Sequence, residues 1–183
     1  MVLESEQCRI EIKTDPCYTV ASADNGHYDV ILNPCNYRKS DMSKTLSIHV
    51  SLPEREYRIA LTGSFFSDDR NCAVLEGETL TVLQDKSLTQ IAIAEGTVLR
   101  HTQLDCYGCN FEIHRVENGY IIYGEVEITM LDPELSKKWS FSGRDVFVSV
   151  TGKQAFEIRN NTICLYDFED NYYEIDFSGK LLR

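Results

Sequence analysis

LSIHVSLPEREYRIALTG, residues 46–63, reads as two strands and the turn between them. Leu46, Ile48, Val50 and Leu52 alternate with Ser47, His49 and Ser51; Pro53-Glu54 interrupts the run; Tyr57, Ile59 and Leu61 resume it; and Gly63 closes it. A period of two with one apolar face is the pattern of a half-buried antiparallel strand. The same phrase recurs at 80–96 (LTVLQDKSLTQIAIAEG), 128–143 (ITMLDPELSKKWSFSG) and 163–179 (ICLYDFEDNYYEIDFSG), each copy ending on glycine. Alternation also marks Val126, Ile128 and Met130, then Val146, Val148 and Val150, then Tyr173, Ile175 and Phe177. No window of eleven or more residues carries a helical stripe. The expected fold is all-β, an antiparallel meander of about fifteen short strands with four hairpin repeats.

Punctuation agrees with that reading. Asn118-Gly119, between FEIHRVE and YIIYGEV, has the chemistry of a tight hairpin turn, because Asn and Gly tolerate positive φ. Asp132-Pro133-Glu134 starts a turn, since proline presets φ. Residues 33–44 (NPCNYRKSDMSK) form the one long polar loop. Without a compositional linker, residues 1–183 read as a single all-β domain, with a subdivision near 100–110 as the alternative.

The first residues of the four phrases lie 34, 48 and 35 positions apart. With a DP-type turn, an aromatic and a closing Ser-Gly-basic step (WSFSGR, YEIDFSGK), residues 46–183 resemble the blade repeats of β-propellers of the quinoprotein or WD type. That resemblance implies a propeller-like scaffold that makes protein or ligand contacts through loops at one end of its blades. A sandwich or barrel built from the same hairpins is the other expectation.

Composition narrows the function. The net charge is −11, from 18 Lys+Arg against 29 Asp+Glu, and it is spread: 10 basic and 15 acidic residues in 1–100, then 8 and 14 in 101–183. A spread acidic surface repels phosphate, which argues against nucleic acid and anionic membranes and favours a basic protein partner. No run approaches the ~18 apolar residues of a membrane helix, and residues 1–14 alternate as a strand rather than as a secretion signal. Seven cysteines, at 8, 17, 35, 72, 106, 109 and 164, are odd in number and scattered, as suits a reducing cytoplasm.

Three clusters carry candidate chemistry. His101, Cys106, Cys109 and His114, spaced H-x4-C-x2-C-x4-H, have the ligand types of a zinc site. If Cys106 to Cys109 is a hairpin tip, the histidines lie on its two legs, each about 17 Å of extended strand from its nearest cysteine; ordinary turn thiols and a redox pair are the competing readings. DFEDNYYE, residues 167–174, is rich in oxygen ligands but lacks the glycine and terminal glutamate of an EF-hand, and reads as an acidic turn or a calcium loop. Aromatics crowd the C-terminal hairpin: Tyr173, Ile175 and Phe177 alternate inward, leaving Tyr166, Tyr172 and Trp139 as the candidate binding surface. The chain has no G-x-S-x-G, no G-x-G-x-x-G, no P-loop and no H-E-x-x-H. The expectation is a cytoplasmic binding protein without a bound cofactor. Its most economical form is a protein-interaction module, such as an acidic immunity-type inhibitor of a basic toxin; a carbohydrate or small-ligand binder and a zinc-stabilised protein are the alternatives.

Overall fold

The computed structural model describes residues 1–65 and 71–183. The chain divides into two compact units, Met1–Leu104 and Asp105–Arg183. The first contains β1 (Val2–Glu4), β2 (Arg9–Thr14), β3 (Val30–Leu32), β4 (Lys44–Leu52), β5 (Arg55–Gly63), β6 (Ala73–Glu76), β7 (Thr79–Gln84), β8 (Ser87–Ala92) and β9 (Thr97–Gln103). The second contains β10 (Asn110–Val116), β11 (Gly119–Gly124), β12 (Ile128–Leu131), β13 (Lys137–Phe141), β14 (Phe156–Arg159), β15 (Thr162–Tyr166) and β16 (Tyr172–Asp176). The four repeated phrases are the hairpins β4–β5, β7–β8, β12–β13 and β15–β16, all antiparallel.

In the first unit a five-stranded sheet, ordered β1-β2-β4-β5-β3, accompanies the meander β6-β7-β8-β9. The pair β3–β5 is parallel, and its neighbours are antiparallel. Register explains the core: Ile48 lies opposite Ile12 on one side and Ile59 on the other, all fully buried. That row packs in one core with Leu80, Val82 and Ile91 of the second sheet and with Ile93 of the turn that follows β8. A slip of one residue would drive Ser47, His49 and Ser51 into this core, so the apolar face itself fixes the pairing. The Tyr57 hydroxyl donates to the Ile93 carbonyl, bonding β5 to the turn that follows β8.

In the second unit the meander β10-β11-β12-β13 shares a core with the three-stranded sheet β14-β15-β16. Ile121, Ile128, Ile163, Leu165 and Ile175 have no exposed surface. The hairpin at Asn118-Gly119 forms one position earlier than the dipeptide suggests: Val116 pairs with Gly119, so Glu117 and Asn118 are the loop. Gly119 opens β11 at φ +143, where a β-carbon would lie 1.9 Å from the Leu131 carbonyl oxygen. Glycine is therefore required there by both conformation and space.

The alternation at Val146, Val148 and Val150 does not make a strand. Residues 142–155 are irregular, Val150 is 71% exposed, and the residue between the first two valines, Phe147, is fully buried. Its ring lies 6.2 Å from that of Phe141 and 6.0 Å from that of Tyr173. Its N–H donates to the Glu125 carbonyl at 2.6 Å, and its carbonyl accepts the Tyr123 hydroxyl at 2.6 Å. Backbone groups that a strand would pair in a ladder are thus satisfied individually, and the segment meets the core through Phe147, with Val148 packed beside it, rather than through a face of three valines.

Candidate functional site

The zinc expectation depended on a hairpin around Cys106–Cys109, and that hairpin does not exist: β9 and β10 belong to different sheets. His101, on β9, accepts or donates at Nδ1 with the Thr89 hydroxyl (2.9 Å) and lies 3.5 Å from the Cys35 sulfur at Nε2. His114, on β10, is bonded through Nε2 to Glu112 (2.9 Å), and its ring lies 4.9 Å from that of Phe156. The CYGC turn is held by acidic groups: Glu127 accepts the Tyr107 N–H at 3.0 Å and Glu125 the Cys109 N–H at 3.2 Å. The Cys106 sulfur accepts the Asn110 amide at 3.0 Å. Among the described residues, no three His, Cys, Asp or Glu side chains are grouped as metal ligands.

The acidic DFEDNYY turn also spends its oxygens internally. Asp167 is fully buried and accepts the Asn171 N–H (2.9 Å), the Glu169 N–H (3.1 Å), the Asn171 amide and the Tyr173 hydroxyl (2.7 Å). Burial alone would raise its carboxyl, but the bonds from Tyr173, Asn171 and Glu169 outweigh burial and hold it below the usual carboxylate range. Asp170 meets Lys153 at 3.1 Å. This turn is a hydrogen-bonded corner rather than an open cation loop.

The three aromatics left for binding have different settings. Trp139 is half-buried against the core, its indole N–H donates to the Phe177 carbonyl at 3.1 Å, and Gly179 lies so close that a β-carbon would meet the indole at 2.8 Å. Part of its surface is committed to packing. Tyr166 and Tyr172 are register partners on β15 and β16, on the face opposite the core, with ring centroids 5.1 Å apart. Period two places Glu157, Arg159 and Cys164 on that same face, while Phe156, Ile163 and Leu165 turn inward.

These residues, with Gln154 and Arg183, line a cleft of about 350 Å³. Arg183 sits over the Tyr172 ring (5.7 Å) and Lys153 over the Tyr166 ring (5.1 Å), within the range of cation–π attraction. Arg159 pairs with Glu157 at 2.6 Å. Bonding to the Cys164 thiol, burial and the neighbouring negative charge push the Tyr172 hydroxyl up to about 12, so it remains protonated and able to donate. The cleft therefore offers two aromatic faces, two hydroxyls, an amide and cations on strands fixed by their ladders. The tyrosines were legible in the sequence. Lys153, Gln154 and Arg183 were not, because nothing in one strand's alternation says which distant residues stand beside it.

No family model matches the chain, and no curated protein sequence is similar to it. Among solved structures it is similar to BamB from Moraxella catarrhalis, with a TM-score of 0.51 at 10% identity, covering 77% of this chain and 45% of that one. BamB is a quinoprotein-like β-propeller. This fold is propeller-like. Weaker likenesses are to KlHsv2 with loop 6CD replaced by a Gly-Ser linker (TM-score 0.45, 10% identity, 76% of this chain and 46% of that one) and to a protein of unknown function from Bacteroides caccae (0.41, 14%, 75% and 61%). The chain spans about half the length of the propellers it matches. The propeller-like chain has no specific family assigned to it, and its sheets β6–β9 and β10–β13 have the four-stranded antiparallel build of blades.

Proposed function

We propose that this chain is a non-catalytic, cytoplasmic protein-binding module whose contact surface is the outer face of β14–β16. The observation that carries the reading is the tyrosine pair: two directly opposed aromatic side chains, flanked by Lys153 and Arg183, standing on the face turned away from the core. Tyrosine and arginine supply large contact area and directional donors at low entropic cost, and are enriched at the centres of protein interfaces. The acidic balance of the whole chain, −11, would speed encounter with a basic partner, as an immunity-type inhibitor of a basic toxin requires. The odd, scattered set of seven cysteines is consistent with a reducing compartment.

The test is affinity capture from the source cells at low and high salt with the wild type and with Tyr166→Ala/Tyr172→Ala. A partner retained by the wild type, lost from the double variant and weakened by salt supports the reading. Equal recovery by both proteins rejects the cleft as the contact. A sugar ligand in the same cleft is the second reading, favoured by the Gln154 amide beside the aromatic pair; retention of the double variant on a glycan array that binds the wild type would reject it.

A further inference from the structure

The bonds of His101 form a directed chain. Gln84 is buried, its amide N–H donates to the Thr62 carbonyl at 3.0 Å, and that amide lies on Gly63, where a β-carbon would be 1.8 Å from the nitrogen. With its nitrogen committed, Gln84 presents Oε1 to the hydroxyl of Thr89, which is also fully buried and donates to it. Having donated, Thr89 is left as acceptor for His101 Nδ1–H at 2.9 Å. The other ring nitrogen, Nε2, then carries the ring's lone pair, and it lies 3.5 Å from the sulfur of Cys35. A second contact requires the same tautomer: the Gln103 side-chain amide nitrogen, which can only donate, lies 3.5 Å from Nε2. Burial disfavours the charged ring, so His101 is neutral at neutral pH and keeps its Nε2 lone pair.

A nucleophile within reach of a base, and a base oriented by a third group, is the arrangement that activates a thiol. We propose that Cys35 is a modification site: a thiol activated by His101 as general base, with Thr89 and Gln84 as positioning residues, whose substrate class is hydroperoxides. His101 Nε2 takes the thiol proton, and the sulfur attacks one peroxide oxygen. The O–O bond breaks with its electron pair on the distal oxygen, which leaves with the imidazolium proton as water or alcohol. Sulfur is oxidised to sulfenic acid and the peroxide is reduced. The site shares no residue with the tyrosine cleft and stands or falls independently of it. Cys35 is half-buried in the polar loop that follows β3, while Cys17 is exposed, which makes Cys17 an internal control.

The experiment treats the intact protein at pH 7 with limiting iodoacetamide, and separately with hydrogen peroxide plus dimedone, and reads modification of each cysteine by peptide mass spectrometry. An unactivated thiol of pKa near 8.5 is only about 3% thiolate at pH 7, so activation predicts that Cys35 outpaces Cys17 by on the order of tenfold. Dimedone should accumulate on Cys35 first. His101→Gln should bring Cys35 down to the Cys17 rate or below, and Thr89→Val should slow it without changing Cys17. Equal rates at Cys35 and Cys17 in the unaltered chain would overturn the proposal, and that comparison needs no variant to fold. An unchanged Cys35 rate in folded His101→Gln would overturn it as well.

Discussion

Replacing Phe147 with alanine removes the one ring that an irregular segment sends into the core of the second unit. Phe147 has no exposed surface, and its ring is flanked by Phe141 and Tyr173. Its backbone bonds to Glu125 and Tyr123 do not depend on the side chain, so the loss is packing plus the cavity left behind. Phe→Ala in such a site costs about 3–5 kcal/mol. For a unit of this size that corresponds to a fall in Tm of on the order of 15 °C or more. Trp139, the single tryptophan, is packed on the same core, so its fluorescence during urea unfolding reports the unit concerned. Val150→Ala is the control: Val150 is 71% exposed and should change stability by less than about 0.5 kcal/mol. Phe147→Leu should fall between them. If Val150→Ala cost as much as Phe147→Ala, the segment would be the valine-faced strand that its alternation suggests, and the packing argument would be wrong.

Gly119→Ala should destabilise the second unit by about 1–3 kcal/mol or more, because φ +143 and the Leu131 carbonyl both exclude a β-carbon; a thermal melt that did not move would refute this. Asp167 has a folded-state pKa below its unfolded value of about 3.9. Its contribution is therefore complete above that value and is lost as pH falls through the lower folded pKa. Urea midpoints from pH 6 down to pH 2.5 should fall more steeply for the wild type than for Asp167→Asn, and parallel curves would count against the assignment. Tyr166→Ala/Tyr172→Ala should leave the fold intact by circular dichroism, with a stability change no larger than the roughly 0.2–1 kcal/mol of a cross-strand pair plus the tyrosines' partial burial; collapse of the fold would mean that the pair is structural.

Legibility in the sequence followed the range of the forces involved. Hairpins were plain in residues 46–63 and their three companions because alternation, turn chemistry and closing glycine are local and mutually consistent. Alternation misled at 146–150, where the decisive fact is a distant core cavity that accepts Phe147. The His101, Cys106, Cys109 and His114 spacing is a related case. It assumed a hairpin between two strands that pair with other neighbours, and in its place His101 meets Cys35, 66 positions away. No spacing rule reaches that far. Tyr166 and Tyr172 could be found because their outward positions follow from the strand period, whereas the cations beside them are set by tertiary structure.

The most direct test of the binding claim is site-specific photocrosslinking in the source cells, with a photoreactive residue at Gln154 in the tyrosine cleft and, as control, at Arg9 on the exposed face of β2. The account predicts a discrete adduct to one protein from position 154 that vanishes in the Tyr166→Ala/Tyr172→Ala background and is absent from position 9. Adducts of equal yield at both positions, or an adduct at 154 that survives loss of the tyrosines, would contradict it.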